Sequence, residues 1–133
     1  MSSIQARNYA KRFENVLDYI ESNLGEALDT ERLSKVANFS KFHFHRQFAE
    51  FVGTSVGRYV QLLRLRQASY RLAFNRQDKI IDIALDAGFE NPESFTRAFR
   101  NTFGQSPSAF RRQPDWESWH ERYRFRIPER KQT

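Results

Sequence analysis

The sequence predicts an all-α protein of about seven helices, in which two helix-turn-helix subdomains share one long linking helix. Three observations carry this. Apolar residues recur at helical spacing along most of the chain, as in Phe13, Val16, Leu17 and Ile20, and again in Ile80, Ile83, Ala84 and Ala87. The stretch 80–111, IIDIALDAGFENPESFTRAFRNTFGQSPSAFR, reads as a short helix, a glycine turn and a helix with an arginine-bearing outer face. That pattern occurs twice. Leu33, Ser34, Ala37, Asn38 and Phe39 match Ile83, Ala84, Ala87, Gly88 and Phe89 at a constant offset. After a one-residue slip, Phe44-His45-Arg46-Gln47-Phe48 matches Phe95-Thr96-Arg97-Ala98-Phe99, and Gly53-Thr54-Ser55 matches Gly104-Gln105-Ser106. Two copies of one supersecondary unit are implied.

Residues 1–7 are polar and read as a frayed start. From about Asn8 a helix carries Tyr9, Phe13, Val16, Leu17, Ile20 and Leu24 on one face, and Gly25 ends it. Asp29 caps the next helix, Thr30 to Ala37, with Leu33, Val36 and Ala37 inward. Ser40 caps a helix from Lys41 to about Val52. Its Phe44, Phe48 and Val52 point inward, while Phe42, His45, Arg46 and Ala49 share the outer face.

Ser55 caps a helix from Val56 to Phe74, roughly 28 Å long at 1.5 Å per residue. Tyr59, Val60, Leu63 and Leu72 supply its apolar contacts, and Arg58, Arg64, Arg66 and Arg71 stud the remaining surface. Asn75–Lys79 is a polar connector. In the second unit Gly88 stops the first helix, because glycine takes positive φ without steric cost. Asn91 caps the next helix and Pro92 takes its first position, where a missing N–H costs nothing. Phe95, Ala98, Phe99 and Phe103 lie on its inner face, and Glu93, Thr96, Arg97 and Arg100 on its outer face. Ser108–Arg111 is a short closing helix.

The domain organisation expected is therefore 1–112 for the paired helix-turn-helix domain, with units at about 29–53 and 80–104 and the linking helix at 56–74. Pro114 ends this domain. Residues 113–133 form a basic, aromatic tail, irregular or with a short β-strand where Tyr123-Arg124-Phe125-Arg126-Ile127 alternates at period two. It reads as an arm, an element laid on the domain, or the start of a missing effector domain.

Composition narrows the function. There is no cysteine, so no thiolate metal site, disulfide or cysteine nucleophile exists. No apolar run reaches the ~18 residues of a membrane span, and no signal-peptide core is visible; the expected location is the cytoplasm. His43 and His45 stand two apart on a helix, point to opposite sides and cannot chelate one ion. His120 has no carboxylate–serine or metal-ligand constellation near it in sequence. No catalytic arrangement is found, and no metal or cofactor is implied.

The net charge of +6 is unevenly spread: residues 1–39 carry five basic against six acidic residues, and residues 40–133 carry seventeen against ten. Of the 22 basic residues 17 are arginine, the side chain suited to bidentate contacts with phosphate and guanine. Charge alone leaves a solvated basic face and a nucleic-acid surface close to even. Joined to two helix-turn-helix patterns, the charge points to nucleic acid.

These motifs make the sequence resemble the DNA-binding domain of AraC/XylS-family transcription regulators. The residues are Phe39-Ser40, Phe44-x-Arg46-x-Phe48, Gly53-x-Ser55, Arg64-x-x-x-Ala68, Asp82-Ile83-Ala84, Ala87-Gly88-Phe89, Phe95-x-Arg97-x-Phe99 and Gly104-x-Ser106-Pro107, within a resemblance from about Phe13 to Arg112. Two positions depart from the family pattern: Ser34 replaces the usual Ala, and Asn38 the usual Gly. Both are mild, since Asn tolerates the left-handed region.

The resemblance implies sequence-specific binding of double-stranded DNA for transcriptional control, in the sense of activation, with RNA polymerase as a partner in the bacterial nucleoid. Residue by residue it implies base reading by Phe42, His45 and Arg46 in the first unit and by Glu93, Ser94, Thr96 and Arg97 in the second. Arg46 and Arg97 suit guanine, and Phe42 a thymine methyl, although an exposed Phe42 folded against the helix edge is the plainer reading. Glu93 can accept from cytosine or act by exclusion. Ser40, Lys41, Asn91, Arg100 and Arg111 are expected at phosphates. With both reading helices in one chain, a monomer is expected on the DNA. The rival class is a protein-interaction module acting on polymerase or another regulator, with non-specific DNA binding only.

Overall fold

The computed structural model describes residues 3–123, with side chains from Arg7 onward. Among these residues the chain forms eight helices and no strand: α1 (Ser3–Ser22), α2 (Thr30–Ala37), α3 (Lys41–Val52), α4 (Val56–Phe74), α5 (Ile80–Asp86), α6 (Pro92–Phe103), α7 (Pro107–Arg112) and α8 (Trp116–Glu121). They fall into two compact units, Met1–Gln61 and Leu62–Thr133, and α4 runs from one into the other.

In the first unit α1 begins at Ser3, ahead of the expected Asn8, because nothing in Ser-Ile-Gln-Ala-Arg stops a helix once later turns have nucleated it. It ends at Ser22 rather than at Gly25. There Asn23 folds back, its backbone N–H to Ile20 O at 3.1 Å and its Nδ2 to Tyr19 O at 2.8 Å, so the last carbonyls are satisfied without a glycine. Phe13, Val16, Leu17 and Ile20 are fully buried, as the apolar stripe requires. Phe13 is the aromatic hub: its ring stacks on Phe51 at 4.9 Å and lies 5.4 Å from Phe39 and 6.3 Å from Phe48. Such pairs add to the area-proportional gain of burying the rings.

In the second unit α4 contributes Leu65, Ala68 and Leu72, α5 contributes Ile83, Ala84 and Ala87, and α6 contributes Phe95, Phe99 and Phe103 to one core with Phe110 and Trp119. Two arginines of α4 expected as solvated studs are engaged. Arg71 Nη1 reaches Asp86 at 2.7 Å and its Nε reaches Asp78 at 3.0 Å, which ties α4 to α5 and to the connector between them. Those carboxylates, Asp86 first, hold the Arg71 guanidinium above its ordinary range. Arg66 lies over the Tyr123 ring, 5.7 Å from its centroid.

The helical domain does not stop at Pro114. Asp115 accepts from Ser118 N at 3.2 Å and from Ser118 Oγ at 2.8 Å, restarting the chain as α8 directly after the proline. Trp116 and Trp119, three apart, then share one helical face, and Trp119 is buried against Tyr123 at 4.8 Å and Phe103 at 6.5 Å. Arg122 Nε donates to Thr102 O at 2.6 Å near the C-terminal end of α6. The expected strand, Tyr123-Arg124-Phe125-Arg126-Ile127, lies outside the described residues apart from Tyr123, whose hydroxyl donates to Leu62 O at 2.7 Å.

Candidate nucleic-acid interface

The second helix of each helix-turn-helix, α3 and α6, starts where the sequence places it, and for the reason it gives. Ser40, with extended backbone, accepts from His43 N at 3.3 Å and opens α3; Asn91 accepts from Ser94 N at 2.8 Å and opens α6. The turns ahead of them need left-handed backbone. Gly88 supplies it at φ +93°, and Asn38, at the equivalent position of the first unit, at φ +62°. Behind each turn a backbone N–H closes the preceding helix, from Phe39 to Ser34 O at 2.9 Å and from Phe89 to Ala84 O at 3.1 Å. The repeat seen in sequence is thus a repeat in hydrogen bonding.

Burial of one face exposes the other. Phe44, Phe48 and Val52 are fully buried, which leaves Phe42, His45, Arg46 and Ala49 exposed on α3. Phe42 is 88% exposed and does not fold against the helix edge. His45 shares that face, but its Nε2 lies 3.3 Å from Thr30 Oγ1, so one ring nitrogen is engaged with the start of α2. On α6, Phe95, Phe99 and Phe103 are buried. Glu93, Arg97 and Arg100 are exposed, whereas Ser94 and Thr96 are half-buried. Pro92, Glu93, Thr96, Arg97, Arg100 and Asn101 line a shallow concavity along this face.

Arg46, Arg97 and Arg100 have no hydrogen bond or ion pair among the described residues. Their guanidinium groups keep all their donors for an outside partner. Lys41, at the first position of α3, is exposed beside the Ser40 cap, where the helix N-terminus favours anions. Asn91 and Ser40 use a side-chain oxygen for capping.

Arg111 is different. The phosphate contact expected for it meets a guanidinium already committed within the second unit, with Nε to Leu72 O at 3.0 Å, Nη1 to Asp78 O at 2.8 Å and Nη2 to Asn75 O at 3.1 Å. It holds the C-terminal end of α4 and the following loop. The physical reason is that α4 ends with unpaired carbonyls, and a cation there satisfies them and complements the helix dipole. Sequence reasoning missed this, because the acceptors lie more than thirty residues away.

It also missed Arg12, on α1. Its Nε donates to Ala37 O at 2.9 Å, its Nη2 donates to Asn38 O, and its guanidinium carbon lies 3.8 Å above the Phe39 ring. No group of three His, Asp or Glu side chains that could hold a metal occurs among the described residues, and no described helix is long and apolar enough to cross a membrane.

Residues 33–113 match the family model of a helix-turn-helix domain. The chain is 43% identical over 103 residues to an uncharacterised helix-turn-helix-type transcriptional regulator, YbfP, of Bacillus subtilis (strain 168); the match covers 77% of this chain and 35% of that protein. The chain therefore spans about a third of that relative's length. Among solved structures it resembles a transcriptional regulator of the AraC-type DNA-binding class from Chromobacterium violaceum, at TM-score 0.71 and 28% identity, covering 79% of this chain and 96% of the other. It also resembles the DNA-binding domain of the global transcriptional factor AdpA, solved with a target DNA, at TM-score 0.67 and 28% identity, covering 75% and 94%.

Proposed function

The chain belongs to the AraC family of helix-turn-helix domains, and on that premise we propose that it is a sequence-specific double-stranded DNA-binding transcription regulator in which one molecule reads two successive major grooves. The observation that carries the reading is the repetition of one exposed, unpaired arginine, Arg46 and Arg97, at the matched place on two capped helices. Arginine there reads guanine bidentately.

In this reading Phe42, His45 and Arg46 address one half of the site. Glu93, Ser94, Thr96 and Arg97 address the other, with the half-buried Ser94 and Thr96 limited to short contacts. Ser40, Lys41, Asn91 and Arg100 engage phosphates, which position the protein without specifying sequence. Because the two sets differ and lie in one chain, the site is asymmetric, about 20 base pairs long, and bound by a monomer, its two half-sites about one helical turn, ~34 Å, apart. The regulatory output is activation, in contact with RNA polymerase.

Selection of binding sites from random duplexes, followed by footprinting and stoichiometry on the selected site, tests this. One chain protecting two adjacent major grooves of an asymmetric sequence is the expected result. Two chains on a palindrome, one groove each, would overturn the architecture. Failure to select any sequence would favour a protein-interaction module.

A further inference from the structure

In each unit an arginine from the long helix preceding the motif lies against the turn of the helix-turn-helix. In the first, Arg12 of α1 donates to two successive turn carbonyls, Ala37 and Asn38, and stacks on the next side chain, Phe39. In the second, Arg64 of α4 lies beside Gly88 so closely that a Cβ at that position would sit 3.2 Å from Arg64 Nη1. The two arginines do not match in the sequence repeat; folding brings each to its turn.

We infer that Arg12 is a positioning residue for the first reading helix, and that Arg64 has the same role for the second. Ser40, the cap that sets the direction of α3, follows Phe39 directly, so whatever fixes residues 37–39 fixes where Arg46 and Phe42 point. The turn's own amides close α2, Asn38 N–H on Lys35 O and Phe39 N–H on Ser34 O, while the carbonyls of Ala37 and Asn38 accept from Arg12. Asn38 sits in the left-handed region, a conformation that persists when the surroundings enforce it. Arg12 enforces it from outside: a planar fork holds two carbonyls while its face covers a ring, a geometry that the point charge of lysine cannot reproduce. The base of the clamp is rigid, since Phe13, next to Arg12, is fully buried and its ring lies 5.4 Å from Phe39. Burial also holds the Arg64 guanidinium below its ordinary range, consistent with a side chain packed into the fold. Bidentate base contacts tolerate little misplacement, so a loosened turn degrades reading before it degrades folding.

This inference rests on the DNA-reading function proposed above. Its test uses the full chain carrying R12Q, with R12K and R64Q alongside, in site selection from random duplexes. R12Q is expected to relax base preference in the first half-site alone and to weaken the selected site about tenfold or more, the worth of a lost bidentate contact. R12K should recover little of this, and R64Q should relax the second half-site instead. The salt dependence of binding should not change, because no phosphate contact is removed.

Equal weakening on selected and random duplexes, with the salt slope reduced by about one, would make Arg12 a phosphate contact and overturn the inference. Unchanged preference in both halves would overturn it as well. If the wild-type chain selects no sequence, the DNA-reading proposal fails and amide hydrogen exchange decides the clamp. Faster exchange at residues 39–46 in R12Q or R12K, with α4 unaffected, supports the clamp, and unchanged exchange there removes it.

Discussion

Arg111 Nε donates to the carbonyl of Leu72 at 3.0 Å, across thirty-nine residues of sequence, and the same guanidinium takes the carbonyls of Asn75 and Asp78. The end of α4, the connector and α7 are therefore fastened by one side chain. Arg76 Nη1 donates to Arg111 O at 3.2 Å and closes the arrangement.

Arg111→Ala should consequently lower the unfolding free energy of the second unit, by about 1–3 kcal/mol for hydrogen bonds to a charged group. The salt dependence of DNA binding should be unaffected. Calorimetric unfolding and a salt titration check this together. Intact stability with a slope reduced by about one would return Arg111 to the phosphate contacts.

Arg97→Ala should do the reverse. The side chain is exposed and bonded to nothing in the protein, so folding should be untouched. Specific affinity should fall by ~1–3 kcal/mol, and affinity for random duplexes far less. Competition binding with both duplexes measures the difference, and equal losses would assign Arg97 to the DNA backbone.

Phe48 and Phe99 occupy matched inner positions of α3 and α6, and both are fully buried. Truncating either to Ala should cost ~3–5 kcal/mol and unfold the unit that contains it. A Phe99→Ala chain that melts as the wild type does would contradict the packing of α6 on Phe95, Phe103 and Phe110.

Gly88 and Asn38 are equivalent in the repeat but not in their tolerance. Gly88→Ala should destabilise by about 1–2 kcal/mol from the left-handed backbone alone, with a further loss as Arg64 Nη1 gives way. Asn38→Gly should stay within about 1 kcal/mol of the wild type, because relief at φ +62° is offset by greater freedom of the unfolded chain. Denaturant unfolding measures both, and a Gly88→Ala loss no larger than the backbone cost of about 1–2 kcal/mol would show that Arg64 does not restrict the turn.

Much of this was legible locally. The caps Ser40 and Asn91, the turn residues Asn38 and Gly88, and the inner and outer faces of α3 and α6 all follow from residues within one or two helical turns of each other. Helix α8 was not legible in the same way, because the spacing of Trp116 and Trp119 gains its value only from a core formed by Phe103 and Phe110.

By itself, then, the sequence determined the helices from α2 to α6, where they start and stop, and which sides face inward, because 3.6-residue periodicity and capping are properties of neighbouring residues. Tertiary structure alone decided which arginines are available. In sequence nothing marks Arg12, Arg111 and Arg122 as bound within the protein. Folding brings the carbonyls of Ala37, Leu72 and Thr102 to these three and no acceptor to Arg46 and Arg97. A guanidinium is always charged, but whether it holds the protein together or reaches outward depends on acceptors that only the folded chain supplies.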